Sequence, residues 1–182
     1  MKNIKIQKVI FEWVEELVFA SVVVVLIFSF AFKIVSVSGD SMLPNYFEGD
    51  KLIISSFSGE AEIGDVVVIV GALDKPIIKR VIATEGQEID IDTDTGTVYI
   101  DGEALDETLF GLENGITTQT YTSLDLTQLP QIVPQGCVFV LGDNRVVSED
   151  SRYATVGMVD ANMIIGEVVF QIYPVSEFGF IN

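Results

Sequence analysis

The sequence predicts a mainly β domain carried on a single N-terminal membrane-spanning helix. Three observations predict it: one uncharged apolar run near the N-terminus, a change after Val37 to short β-branched runs separated by turn residues, and a composition able to fill a core. Hydrophobic residues make up 49% of the chain and charged residues 20%, a balance that argues against disorder. The 182 residues have room for the anchor and one compact domain, with or without an insertion.

The apolar run comes first in the chain. Leu17 to Phe32 carries no charge, and Ile34, Val35 and Val37 extend it beyond Lys33. A spanning helix needs about 20 apolar residues, a length reached here if Lys33 snorkels its amine to the interface. Lys2, Lys5 and Lys8 precede the run and only Lys33 closes it, so the positive-inside tendency makes residues 1–16 cytoplasmic, 17–37 the anchor and 38–182 extracytoplasmic. Trp13 suits the interface, and membrane lipid is an expected partner. A cleavable secretory signal is the competing reading, with Ser36 and Ser38 as its small residues, but its apolar core is typically only ~7–15 residues. A buried core helix fits less well, because the run is apolar on all sides.

The strand-like segments follow in order as Lys51 to Ser55, Asp65 to Val70, Pro76 to Ala83, Gln87 to Asp92, Thr97 to Asp101, Cys137 to Leu141 and Ile164 to Tyr173. Asp92-Thr93-Asp94-Thr95-Gly96 has the composition of a hairpin loop closed by glycine. Asp101 to Pro134 is rich in Thr, Glu, Asp and Gln and reads as a peripheral insertion. Phe178, Phe180 and Ile181 close the chain, and such residues more often pack on the domain than face lipid.

Charge and residue counts exclude several functions. A net charge of −17 repels phosphate backbones, so nucleic acid is not an expected partner. The one cysteine, Cys137, lies in an apolar run and reads as a small buried hydrophobe. Without histidine or a second thiol, neither the familiar zinc sites nor a Cys/His pair can be built, and no metal or cofactor is expected. The missing histidine also removes every Ser-His-Asp arrangement, so a hydrolytic serine would need another base.

Three segments carry candidate chemistry. Ser41 sits in Ser38-Gly39-Asp40-Ser41-Met42-Leu43-Pro44, a Gly/Pro turn between the anchor and the first predicted strand. Lys79 lies in Pro76-Ile77-Ile78-Lys79-Arg80-Val81-Ile82, where alternation puts it on one face with Ile77 and Val81, and Arg80 on the other with Ile78 and Ile82. An amine among apolar neighbours is poorly solvated, and its pKa falls toward the range of a useful base. The third segment runs from Gly142-Asp143-Asn144-Arg145 to Ser148-Glu149-Asp150-Ser151-Arg152, with Asp150 placed to pair with Arg152 or Arg145. Alone, each segment is a weak signal: the serine reads more simply as part of a structural turn, the Lys-Arg as an ordinary solvated pair, and the third segment fits a charged surface loop.

Together, in this order, they resemble the boxes of the bacterial type I signal peptidases, most closely the Gram-positive kind with a single N-terminal span. Ser41 to Pro44 matches the Ser-Met-x-Pro box, Gly64 to Val66 the Gly-Asp-Val strand, Lys79 to Val81 the lysine box, and Gly142 to Arg152 the Gly-Asp-Asn-Arg box. Ile164-Ile165-Gly166 is similar to a recurring family ending. The resemblance implies a β-rich catalytic domain with a smaller β sub-domain inserted at about 84–136, and a serine endopeptidase that removes signal peptides from exported precursors, cutting after small residues. It implies Ser41 as nucleophile, Lys79 as its base, and the Ser41 amide facing the oxyanion. Ser148 takes the place of the serine that orients the lysine amine, while Asp150, Arg152, Asp143 and Asn144 fall in the supporting loop. Val37, Gly39, Met42, Ile77 and Ile78 fall where the family lines pockets for small side chains, and substrate adds as a strand.

The chain departs from the family at three places. Gly39 stands where some members have a hydroxyl that helps bind the oxyanion, which leaves either a weaker site or Ser38 in that role. Val146-Val147 replaces polar residues, and Ala83-Thr84-Glu85-Gly86-Gln87 replaces Gly-x-Pro-Gly-Asp. Two other functions share the scaffold or chemistry: a self-cleaving repressor-like Ser/Lys protease, which calls for a soluble chain, and an assembly factor or dedicated processing enzyme for a surface structure such as a pilus. A pure assembly factor is expected to lose the serine or lysine, and both are present.

Overall fold

The computed structural model describes residues 2–56, 59–118 and 127–181. Residues 119–126 of the predicted insertion lie outside the described residues. Helix α1 spans Lys2–Ala31, and its Ile10–Ala31 stretch, with mean hydropathy 2.3, is long and apolar enough to cross a membrane. Phe11, Trp13, Leu17, Phe19 and Phe30 are each at least 67% exposed, so the domain does not cover the helix and the core-helix alternative fails. Each such side chain left in water forgoes about 1.5–3 kcal/mol of burial, a deficit that lipid removes.

The helix stops earlier than the sequence predicts. Phe32–Ser36 forms strand β1 rather than the last turns of the 17–37 anchor, and Lys33 is an exposed strand residue. Apolar β-branched residues serve a span or a strand equally well, and an available edge decides: β1 runs antiparallel to β2, Lys51–Ser55, with Ile34 opposite Ile53. The Ser56 amide donates to the Ala31 carbonyl at 2.9 Å, tying the helix end to the sheet.

The remaining strands are β3 Val66–Ile69, β4 Ile77–Thr84, β5 Glu88–Asp92, β6 Thr97–Ile100, β7 Glu103–Ala104, β8 Gln131–Ile132, β9 Cys137–Leu141, β10 Val159–Asp160, β11 Ile164–Tyr173 and β12 Gly179–Phe180. All seven predicted strands are present within a residue or two at each end. Among the described residues, those the sequence did not reveal are β1, hidden in the apolar run, and four two-residue strands. The main sheet has the order β1-β2-β11-β3-β4-β9-β10, with β12 on β11, and the smaller one the order β7-β6-β5-β8. The β5–β6 hairpin forms at the predicted turn, where Gly96 has φ +71° and its amide donates to the Asp92 carbonyl at 2.7 Å. A Cβ at Gly96 would lie 2.4 Å from the Gly115 carbonyl oxygen, which only glycine avoids.

Alternation along β3 and β4 builds a core on each face of the main sheet. One holds Val37, Met42, Leu52, Ile54, Val66 and Val68, and the other Val67, Ile69, Val81, Val138, Val140 and Val159. A third cluster joins Ile82, Phe139 and Leu141 of the main sheet to Ile89, Val98 and Ile100 of the smaller one. The smaller sheet therefore shares a core with the main sheet instead of enclosing its own. Cys137, half-buried, packs against this cluster as expected.

Candidate active site

Ser41 owes its position to the buried residues around it. Val37 and Met42, 4% and 1% exposed, are embedded in the first core, and the Val37 amide donates to the Asp50 carbonyl at 2.9 Å. The chain between them must bulge outward, and Gly39 allows the bend with φ +82°. The Asn144 amide donates to the Ser41 carbonyl at 3.0 Å and the Asn144 side chain to the Asp40 carbonyl at 3.1 Å. Because a trans peptide points its carbonyl and amide in opposite directions, this second bond turns the Ser41 N–H away from Asn144.

Lys79 reaches the turn from the middle of β4. It lies opposite Val67 and shares a face with Ile77 and Val81, and it is only 3% exposed. Nζ lies 2.9 Å from Ser41 Oγ and donates to it. Burial lowers the amine pKa from 10.5 to about 8, opposed by the charges of Asp150, Asp143 and Glu149 and assisted by Arg152. A substantial neutral fraction therefore exists at mildly alkaline pH, and a neutral amine at this distance can accept the hydroxyl proton.

The neighbouring Arg80 points to the opposite face, as alternation requires. Its Nε and Nη2 donate to Asp143 at 2.8 and 2.7 Å, its Nη1 to the Gly64 carbonyl at 2.8 Å, and its guanidinium sits 5.1 Å from the Phe110 ring centre. Asn45 Nδ2 donates to the same Asp143 carboxylate and to the Phe110 carbonyl. In the loop after β9, Asp150 accepts from the Gly142 amide at 3.0 Å and from Arg152 Nε and Nη2 at 2.8 and 3.0 Å. Of the two partners the sequence allows Asp150, the structure has Arg152.

Beside Ser41 opens a cleft of about 330 Å³ lined by Val35, Ser36, Val37, Ser38, Met42, Val68, Pro76, Ile77, Ile78, Lys79 and Ile165. Its walls include the last residues of β1 and the first of β4. β4 pairs with β9 only from Arg80 onward, and β1 stands at the end of the sheet order, so both present an unpaired backbone edge among the described residues.

A family model described as "Signal peptidase, peptidase S26" matches residues 10–173. The chain belongs to the signal peptidase family. It is 31% identical to signal peptidase IB of Staphylococcus aureus (strain COL) over 183 residues, covering 94% of each chain, and 32% identical to signal peptidase I of Bacillus amyloliquefaciens over 170 residues, covering 91% of this chain and 86% of the other. The crystal structure of a signal peptidase I from Enterococcus faecalis V583 is 29% identical with a TM-score of 0.46, over 60% of this chain and 97% of that one. Membership makes the chain a peptidase of signal peptide processing.

Within this signal peptidase, two expected placements differ. Ser148 makes no hydrogen bond to the Lys79 amine: its Oγ is buried without a hydrogen-bond partner among the described residues. It packs over Gly142, where a Cβ would lie 2.2 Å from that Oγ. Gly39 does not line the cleft, and open space surrounds the point where its Cβ would be. The lining residues the sequence reading missed are Val35, Ser36, Ser38, Val68, Pro76 and Ile165. Ser38, named for the oxyanion, was at hand, but the others depend on β1 being a strand and on β11 packing beside β3.

The insertion is also less peripheral than its composition predicts. Glu107 and Thr117, each 1% exposed, meet Arg145, and Thr127 bonds the backbone of Ser151 and Arg152. Tyr46, buried beside Arg80 and Asp143, has its phenol pushed up to about 12 by burial and stays neutral. A rise in local apolar content marks neither Glu107 nor Thr117, so nothing in the sequence could single them out.

Proposed function

We propose that this protein is a membrane-bound serine endopeptidase that removes N-terminal signal peptides from exported precursors by a Ser41/Lys79 dyad. The observation that carries the reading is the 2.9 Å contact between a buried amine and a hydroxyl at the mouth of an apolar cleft. Ser41 Oγ attacks the carbonyl carbon at the cut site while neutral Lys79 takes its proton and passes it to the leaving amine. Water, deprotonated by the same amine, then releases the signal peptide from the Ser41 ester. The Ser41 amide stabilises the oxyanion, with the Ser38 hydroxyl as the second donor in place of the residue at Gly39. Asp143, Asn144, Asp150 and Arg152 hold the loop that fixes this geometry, and Ser148 has its free hydroxyl for the amine once Ser41 is acylated.

Substrate binds extended between the free edges of β1 and β4, and Val35, Val68, Ile77, Ile78 and Met42 leave room for small side chains. The apolar helix anchors the enzyme with its N-terminus in the cytoplasm and the catalytic domain outside. Direct continuation of the helix into β1 supports an anchor over a cleaved leader, because cutting there would remove a wall of the cleft. Cross-strand neighbours Ile34, Ile53, Phe170 and Phe180 form an apolar row starting at the helix exit, with Phe180 82% exposed and Phe178 edge-on to Phe170. This row rests on lipid headgroups and brings the cleft to the membrane surface, where signal peptides arrive.

The test is cleavage of a panel of exported precursors by the purified full chain in detergent, with each cut site mapped. Ser41→Ala and Lys79→Ala abolish processing while the protein stays folded and membrane-bound, and cuts fall after small residues. Normal processing by either variant overturns the dyad. A panel reduced to subunits of one surface structure would mark a dedicated enzyme.

A further inference from the structure

We infer that Glu107, on the inserted segment, is a positioning residue of the catalytic loop, balancing the buried Arg145 guanidinium and so holding Gly142 to Arg152 against Ser41 and Lys79. Arg145 is 2% exposed and is the largest fully buried side chain among the described residues. Its Nε donates to the Gly142 carbonyl at 3.1 Å, and its Nη1 meets the Thr117 hydroxyl and the Glu107 carboxylate. A guanidinium so deeply buried stays in place only if an anion compensates it.

Among the described residues, the two other buried aspartates of the loop are already engaged. Asp143 is taken by Arg80 and Asn45, and Asp150 by Arg152 and the Gly142 amide. The three arginines and three acids therefore form separate pairs, and without Glu107 the Arg145 charge would compete for Asp143 or Asp150. The backbone of Glu107 is held on both sides: its amide donates to Asn114 Oδ1 at 2.7 Å and its carbonyl accepts from Leu112 N at 3.2 Å, while burial pushes its carboxyl upward and the Arg145 charge opposes that.

The connection to the reacting groups is short. Arg145 follows Asn144, which holds the Ser41 carbonyl, and the Arg145 carbonyl accepts from Arg152 Nη2 at 2.8 Å. Lys79 is faced by Asp150, Asp143 and Glu149 and by Arg152, while burial is the largest influence on it. Loosening the loop readmits water to the amine and moves its pKa upward.

This inference rests on the Ser41/Lys79 reading, which the inactive Ser41→Ala control tests separately from it. Glu107→Gln keeps the shape and removes the charge. In the full chain in detergent it is expected to lower kcat for precursor cleavage about 10- to 100-fold with KM within about twofold, and to move the acid limb of kcat/KM upward by at least about half a pH unit. Glu107→Asp, which retains the charge, recovers part of both. Wild-type kcat and pH profile in Glu107→Gln, with the dyad controls behaving normally, would overturn the inference. If Glu107→Gln does not fold, the pair Glu107→Leu with Arg145→Met decides: recovered folding supports the charge pairing, and failure to recover counts against it.

Discussion

Asp143 receives both Nε and Nη2 of Arg80, at 2.8 and 2.7 Å, across 63 positions of sequence, and this planar grip fixes β4 against the loop after β9. Because Lys79 precedes Arg80 on a strand, locking the arginine on one face sets the amine on the other. The same carboxylate bonds Asn45 of the segment that follows Ser41, so one acid orients both halves of the proposed dyad.

Removal of that acid is the first prediction. Asp143→Ala leaves a guanidinium that is 4% exposed without its counter-charge, and the expected loss of stability is roughly 3–5 kcal/mol. Denaturant unfolding of the full chain in detergent measures it. A loss below about 1 kcal/mol would mean that Gly64 and Phe110 suffice for Arg80.

The second prediction concerns pH. With the Lys79 pKa near 8, kcat/KM should fall about tenfold per unit below that value and level off above it. The amine pKa is lower folded than unfolded, so between about 8 and 10.5 the unfolded chain binds the extra proton and stability rises with pH. Below 8 the full penalty applies, on the order of 3 kcal/mol for a shift of this size. Lys79→Met is therefore expected to stabilise the fold at pH 7, with a gain that shrinks as pH approaches 10.5. Thermal unfolding at the two pH values, beside the pH dependence of cleavage, checks both halves. An acid limb near pH 10, the range of a solvated amine, or equal gains at both pH values, would be inconsistent with a buried, neutral lysine.

The third prediction lies at the closest approach in the site. A Cβ at Gly142 would come within 2.2 Å of Ser148 Oγ and 2.5 Å of the Ser41 carbonyl oxygen. Gly142→Ala must push the Ser41 turn away from the loop, and a displacement near 1 Å costs about 100-fold in rate. Single-turnover cleavage of a precursor gives the number. A rate near wild type would show that the turn yields without moving the hydroxyl.

Much of the site was legible because each part depends on local chemistry. A glycine and a proline around Ser41 imply a turn, and apolar residues flanking Lys79 imply a dry face. The acid and arginine spacing of Asp150 and Arg152 permits a pair within one loop. The seven longer strands were legible for the same reason, since β-branched alternation is a property of consecutive residues.

Glu107 shows the opposite case. In sequence it is one acid among 27 acidic residues, on a segment rich in polar residues, and only the fold carries it to a buried arginine. β1 is similar, because Phe32 to Ser36 suits a membrane or a sheet until β2 offers its edge.

The sequence by itself determined that the chain would place an apolar helix before a β domain, and it singled out Ser41, Lys79 and the Gly142 to Arg152 loop as the candidate reactive parts. Only the tertiary structure decided where the helix ends, which acid each arginine takes, that Ser148 stands apart from the amine, and which side chains wall the cleft. Local propensity is set by neighbours along the chain, whereas pairing of strands and buried charges is set by which distant segments meet once the cores close.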